Sequence, residues 1–358
     1  MTISPVPPNL HALCWRLAQD DKQLFDLDLA GLNVGDNGAI ALGSSLESNT
    51  CLSSLSLSYN LISSTGAVHL LDGVTKNIKS LDLMSNSIGN GGAQALARML
   101  SSLKKAKLEK LSIRNNYIGP SGGIKLANAL QDNYSLEQLD LGTNPIGNDG
   151  AKAISELLRV NKTLRWLCLW SNDLDSEGIR HLAQGLRENT TLEVLYLGGN
   201  AIGNDGAMEL AEMLRHNTTL KSLHIANGRI GPKGALALAQ VLTENDTLQV
   251  MDILHNPIGV EGATAFRNVL RHHNRIIKEL RLDYQFTTRS VENYCYKGIN
   301  AEITLYLKLN QAGRAEMTNV QLSYALWPTI LEKVNIQADL MHLTLQEKPE
   351  LLRRSYAQ

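Results

Sequence analysis

Apolar residues recur along this chain in two alternating rhythms. A short stretch of the form L-x-x-L-x-L puts leucine at every second position, which suits a strand with one buried face. After a polar bend comes I-G-x-x-G-A and then apolar residues at i, i+3, i+4 and i+7, as in Ala207, Leu210, Ala211 and Leu214. That spacing predicts an amphipathic helix. The first leucine position of the pair falls at Leu24, Leu52, Ile78, Leu108, Leu136, Leu164, Leu192, Leu220, Leu248 and Ile277. The steps are 28, 26, 30, 28, 28, 28, 28, 28 and 29 residues, and five successive steps of 28 mark an internal repeat. The adjacent irregular steps predict a shortened helix at GVTKN followed by a lengthened one at SSLKKAKLEK.

The full period reads L-x-x-L-x-L-x-x-N-x-I-G-x-x-G-A-x-x-L-A-x-x-L-x-x-N-x-T, as in LEQLDLGTNPIGNDGAKAISELLRVNKT over Leu136–Thr163. It resembles the leucine-rich repeats of the ribonuclease inhibitor-like subclass, also found in NOD-like receptors and Ran GTPase-activating protein. The resemblance covers residues 24–285 and implies an α/β horseshoe. Geometry leads to the same expectation. Parallel strands stack about 4.8 Å apart while helices need about 8–10 Å, so one strand and one helix per repeat must curve, with the sheet inside. The expected fold is a right-handed solenoid with a parallel concave sheet and outer helices.

An asparagine follows each strand at Asn60, Asn86, Asn116, Asn144, Asn172, Asn200 and Asn256, where its amide can bond the turn's backbone and stack into a ladder. Leu32, Gly228 and Gln285 replace it, and the internal Gly228 predicts a local change of loop. Asp149 and Asp205 sit where helix caps are expected. The ends of a solenoid expose core leucines and need covers. Residues 1–23 are read as an N-terminal helical cap, with Leu10, Leu13, Cys14 and Leu17 on one helix face. Residues 286–358 leave the repeat and are read as a helical C-terminal cap. There Ile299, Ile303, Tyr306, Leu307 and Asn310 keep helical spacing, and further helices are expected at PTILEKV, near Gln337–Gln346 and at PELLRR. A separate partner-binding helical module is the alternative for that segment.

Composition narrows the function. With 34 Lys and Arg against 35 Asp and Glu, the formal charge is −1, so no bulk positive field exists to hold nucleic acid or an anionic membrane. The four cysteines, Cys14, Cys51, Cys168 and Cys295, form no CxxC pair; this excludes a zinc ribbon and suggests reduced thiols in the cytoplasm. No secretory leader and no apolar run of membrane-spanning length is visible. The chain has no phosphate-binding G-x-x-x-x-G-K-[ST], no H-E-x-x-H and no G-x-S-x-G, so no catalytic residues, cofactor or metal are expected. His272 and His273 read as a solvated helix end rather than metal ligands. Five N-x-T or N-x-S sequons, at Asn133, Asn161, Asn189, Asn217 and Asn245, keep the 28-residue spacing and belong to the repeat rather than to glycans.

What remains is the concave face. The side chains between the strand leucines point outward, and at mid-arc they include Trp166, Trp170, Val194 and Tyr196, expected to form one exposed aromatic patch. Cys168, His224, Asp140, Arg114, Lys110, Asp252, His255 and Tyr284 complete the candidate partner-binding set. The expectation is a non-catalytic scaffold for a protein partner. The family resemblance implies two alternatives: a GTPase activator acting on a small GTPase, against which the tail KPELLRRSYAQ lacks the acidic run usual in that group, and a receptor-type signalling protein lacking its nucleotide-binding domain.

Overall fold

The computed structural model describes residues 8–282, apart from 75–76, 103–107 and 275, together with 299, 303, 304, 306–308 and 310. Ten three-residue strands form one open parallel sheet in sequence order. They are β1 (Asp26–Asp28), β2 (Ser54–Ser56), β3 (Ser80–Asp82), β4 (Lys110–Ser112), β5 (Gln138–Asp140), β6 (Trp166–Cys168), β7 (Val194–Tyr196), β8 (Ser222–His224), β9 (Val250–Asp252) and β10 (Glu279–Arg281). A helix precedes the first strand, α1 (Pro8–Ala18), and one follows each strand up to β9. These are α2 (Gly35–Leu46), α3 (Ser64–Gly73), α4 (Gly89–Ser102), α5 (Pro120–Leu130), α6 (Gly147–Val160), α7 (Ser176–Glu188), α8 (Gly203–His216), α9 (Pro232–Val241) and α10 (Gly259–His272). This is the expected α/β horseshoe solenoid.

The middle residue of each strand, Leu27 through Leu280, is buried, while its two neighbours sit on the opposite face of the sheet. One continuous apolar core joins these residues to the inner faces of the helices. Registers are in step throughout, Leu27 opposite Leu55, Leu139 opposite Leu167 and Leu223 opposite Met251, so equivalent positions form straight rows across the concave face.

Two asparagine ladders brace the two ends of the helices. At the bend after each strand, Asn144 Nδ2 donates to Ile113 O (2.9 Å) and Leu141 O (2.9 Å), and its Oδ1 accepts from the Asn116 and Ile118 N–H groups. The second ladder runs through the N-x-T and N-x-S positions. Asn189 Nδ2 donates to Leu158 O (2.7 Å), and its Oδ1 accepts from Thr191 N–H (3.0 Å) and Leu192 N–H (2.7 Å). Asn49, Asn133, Asn161, Asn217, Asn245 and Asn274 repeat the pattern, all of them buried. The five sequon asparagines are therefore structural, with side chains closed to a glycan.

The repeat also alternates in pairs. Helices α2, α4, α6, α8 and α10 begin at a glycine with positive φ, Gly35 (+59°), Gly89 (+55°), Gly147 (+63°), Gly203 (+64°) and Gly259 (+66°), a backbone state that glycine adopts without steric cost. Helices α3, α5, α7 and α9 begin one position later, after an extended residue, Ser63, Gly119, Asp175 or Gly231. The second residue of each earlier helix reaches across to the start of the next. Asn90 Oδ1 accepts from Gly119 N–H (2.9 Å) and Gly122 N–H (3.0 Å), and Asn204 Oδ1 does the same for Gly231 and Gly234. A Cβ on Gly178 would lie 2.4 Å from Asn148 Oδ1, so this close approach requires glycine.

Two expectations need correction. Asp149 and Asp205 lie inside the first turns of α6 and α8 and make no side-chain cap bond; the cap positions there are Ile146 and Ile202. The loop at Gly228 is unchanged: Gly203 N–H donates to Gly228 O at 2.9 Å, as Gly147 N–H donates to Asn172 O at 3.1 Å. The lengthening expected at SSLKKAKLEK falls on residues 103–107, outside the described residues; up to Ser102, α4 has 14 residues, as α6 and α8 have. At the ends, Leu10 and Leu17 of α1 are buried in the core with Leu13 and Cys14 packed against it, and Ile299 and Ile303 are helical and buried. Asn310 Nδ2 donates to Ile277 O at 2.8 Å. Gln285 and the helices expected at PTILEKV, Gln337–Gln346 and PELLRR lie outside the described residues.

Candidate functional site on the concave sheet

The concave rows are set by strand register. The row at the third residue of each strand runs Asp140, Cys168, Tyr196, His224, Asp252 and Arg281 from β5 to β10. The row at the first residue runs Gln138, Trp166, Val194, Ser222, Val250 and Glu279.

An aromatic group forms where these rows cross β6–β8. The Trp166 and Tyr196 rings meet tilted, with centroids 5.3 Å apart, and Tyr196 stacks on His224 at 4.0 Å with 7° between planes. Trp166 and Tyr196 are half-buried, leaving ring surface towards solvent. Trp170 belongs to a different layer. Among the described residues it has no ring contact with Trp166 or Tyr196, and it lies over the backbone of the next repeat. A Cβ on Gly198 would stand 2.2 Å from Trp170 Cζ3. The expected four-residue patch is thus a Trp166–Tyr196–His224 stack with Val194 beside it, plus a separate indole seated on Gly198.

Polar groups frame the stack. Ser222 Oγ is 2.8 Å from His224 Nε2, His224 Nδ1 is 3.6 Å from Asp252 Oδ2, and Arg281 Nη1 is 3.7 Å from the same oxygen. Burial pushes the Asp252 carboxyl upward. The opposing bonds from His224 and the Leu254 N–H, with the charges of His224 and Arg281, outweigh it and leave the group below its usual range. Burial pushes the Tyr196 phenol up. Cys168 is only 3% exposed; burial, reinforced by the neighbouring Asp140 carboxylate, pushes its thiol up to about 12, so it stays neutral and unreactive. With so little surface, Cys168 supports the sheet rather than offering a partner contact. His224 and Asp252, each 8% exposed, likewise offer little area.

The remaining candidates are scattered. Asp140 is half-buried and its Oδ1 accepts from Gly142 N–H (2.8 Å), a local turn bond repeated at Asp28, Asp82 and Asp252. That bond explains the recurrent L-D-L without a ligand. Lys110 is exposed on β4 and Arg114 half-buried just after it, His255 is exposed just after β9, and Tyr284 lies outside the described residues. Sequence reading missed the Ser222–His224–Asp252 contact. Its signal was the S-x-H of β8 opposite the aspartate of β9, visible only once the register is known. His272 and His273 are exposed, with rings 6.2 Å apart, and no group of three or more potential metal ligands occurs among the described residues. No described helix is long and apolar enough to cross a membrane.

Comparison with known proteins agrees with the repeat. The leucine-rich repeat family matches residues 48–71, 76–97, 104–127, 132–155, 188–211 and 216–239. Among solved structures, the chain is similar to the actin-binding site 2 of leiomodin-1, at 21% identity over 41% of this chain and 80% of that one, with a TM-score of 0.35. It is also similar to the tropomodulin C-terminal domain of Caenorhabditis elegans, at 19% identity over 43% of this chain and 93% of that one, again with a TM-score of 0.35. A search of curated proteins gave no match. The period, the in-register ten-stranded sheet, the asparagine ladder and the six family matches converge: this chain is a leucine-rich repeat protein.

Proposed function

We propose that the protein is an interaction scaffold that holds a protein partner on its concave face, anchored at Trp166 and Tyr196 and flanked by Val194 and Trp170. One observation carries this reading. Two large aromatic rings stand half-exposed at mid-arc, in rows otherwise occupied mostly by serine, aspartate and other polar side chains. Aromatic residues in such central positions dominate binding energy at interfaces. Residues 286–358 are read as the segment that closes the last repeat, since Ile299 and Ile303 join its core. Neither the GTPase-activator nor the receptor-type reading gains support from the family match.

The test is affinity capture from cell extract with quantitative mass spectrometry, comparing the natural protein with Trp166→Ala and with Trp166→Ala/Trp170→Ala. The single variant removes a half-exposed ring and is expected to fold normally. Loss of about 2 kcal/mol or more at a hot spot would remove the specific partner from the captured set. An identical capture profile for a folded Trp166→Ala protein would refute the concave anchor.

A further inference from the structure

Ser222, His224 and Asp252 stand in succession on β8 and β9, a group that the scaffold reading does not use. Ser222 Oγ lies 2.8 Å from His224 Nε2, and His224 Nδ1 lies 3.6 Å from Asp252 Oδ2. The tautomer follows from the neighbours. A carboxylate facing Nδ1 favours the proton there, which leaves the Nε2 lone pair to accept the serine hydroxyl. The stack with Tyr196 holds the imidazole plane, and a 3.6 Å gap is within the looseness of such contacts before a reactant binds.

We propose that Ser222 is an activated nucleophile that accepts acyl groups from activated esters, with His224 as its general base and Asp252 as a positioning residue. In the step, Ser222 Oγ bonds to the ester carbonyl carbon and its proton passes to His224 Nε2. The carbonyl carbon–alcohol oxygen bond breaks, and the leaving oxygen takes the proton from His224. The environment narrows the donor. Ser222 N–H is engaged by Glu193 O (3.0 Å), so it does not serve as an oxyanion donor, and the favoured donors are esters whose leaving group needs little help. Val194 is in register with Ser222, and Trp166 with Val194, giving an apolar wall that suits an aryl leaving group.

The sheet supplies its own controls. Ser54, Ser56, Ser80 and Ser112 are half-buried on the same face, as Ser222 is, and their strands β2–β4 carry no histidine. The experiment treats the full chain with p-nitrophenyl acetate and maps acetylated serines by mass spectrometry over time. Ser222 is expected to acetylate about 100-fold faster than Ser80, the usual scale of general-base assistance. His224→Gln should remove that advantage. Asp252→Asn should remove most of it while keeping the Leu254 N–H bond, and Asp252→Glu should restore part of it. If Ser222 in the natural protein labels no faster than Ser80, the proposal fails, and that comparison needs no variant to fold. Equal labelling in a folded His224→Gln protein would also overturn it. Partner capture through Trp166 is independent of either outcome.

Discussion

At the scale of single residues, the ladder asparagines are not equivalent, although the sequence makes them look so. Asn200 uses both ends of its amide: Nδ2 donates to Leu169 O (2.8 Å) and Leu197 O (2.7 Å), while Oδ1 accepts from Asn172 N–H (2.9 Å) and Leu174 N–H (3.1 Å). Asn172 donates to Leu141 O (3.2 Å) and Trp170 O (3.0 Å), but its buried Oδ1 has no partner. A buried group stripped of its partners costs about 1–3 kcal/mol, so Asn200→Ala should destabilise more than Asn172→Ala by roughly that amount. Urea unfolding of the two variants measures the difference, and equal losses would contradict the hydrogen-bond assignment. The same logic explains why Gly228 is tolerated in the ladder. It falls in the weaker half of the pair, where the oxygen has least to accept. Asn256 still serves its neighbours, accepting from Gly228 N–H and Ile230 N–H at 2.9 Å. Gly228→Asn would add a donor towards Leu197 O, while any Cβ there lies 3.0 Å from Ile225 O and Ile202 Cδ1. Against Gly228→Ala, which meets the same crowding and gains no bond, it should be more stable by about 1 kcal/mol. Gly198 is the opposite case. A methyl group there would meet the Trp170 ring, so Gly198→Ala should displace the indole into water, read as a red shift of tryptophan emission.

At the scale of elements, strands and helices were legible and their joints were not. The L-x-x-L-x-L alternation sets the period-2 burial, and the i, i+3, i+4, i+7 spacing sets the inner helix face. Both are local properties of the chain. The pairing of repeats depends on one helix start touching the next, a contact 27 to 32 residues away in sequence. Its signal was present in the alternation of GDNG, GNGG, GNDG, GNDG and GVEG with SSTG, GPSG, DSEG and GPKG, a 56-residue rhythm hidden beneath the 28-residue one. Asp149 and Asp205 were misplaced as caps for the same reason: acidic residues near a helix start are common, and only backbone geometry separates cap from first turn. The true cap of α7 is Asp175, whose side chain accepts from Glu177 N–H (2.8 Å) and from Asn148 Nδ2 (2.9 Å) of the preceding helix. Asp175→Ala should cost about 1 kcal/mol, typical of a lost cap. Combined with Asn148→Ala it should cost less than the sum, because the two share a bond. Additive losses in chemical denaturation would show that the helix starts are uncoupled.

At the scale of the whole molecule, each repeat packs on its sequence neighbours, so interactions that cross from one repeat to the next decide whether the array holds together. Apolar contacts supply most of this, but ion pairs run along the edge of the sheet and the outer helices as well. Glu193 joins Arg165 (2.9 Å) and Lys221 (2.7 Å) on the flanking repeats, and Arg159–Glu188 and Arg215–Glu244 span neighbouring helix ends. Exposed pairs are individually weak. Glu193 nonetheless shares a direction with carboxylates that bond backbone groups. The bond from Lys221 holds Glu193 below its usual range, the Glu177 N–H does so for Asp175, and the Ala30 N–H for Asp28. A carboxyl whose folded pKa lies below its unfolded value binds protons more readily when unfolded. Its stabilising contribution is complete above the unfolded pKa, about 4, and is lost as pH falls from there through the folded value. The urea midpoint should therefore fall as pH is lowered from about 5 to about 3. Replacing Glu193 by Gln and Asp175 by Asn should flatten that fall, since neither replacement titrates. A midpoint insensitive to pH across that interval would mean that the cross-repeat carboxylates keep their ordinary affinity for protons and that the array is held by its apolar layers alone.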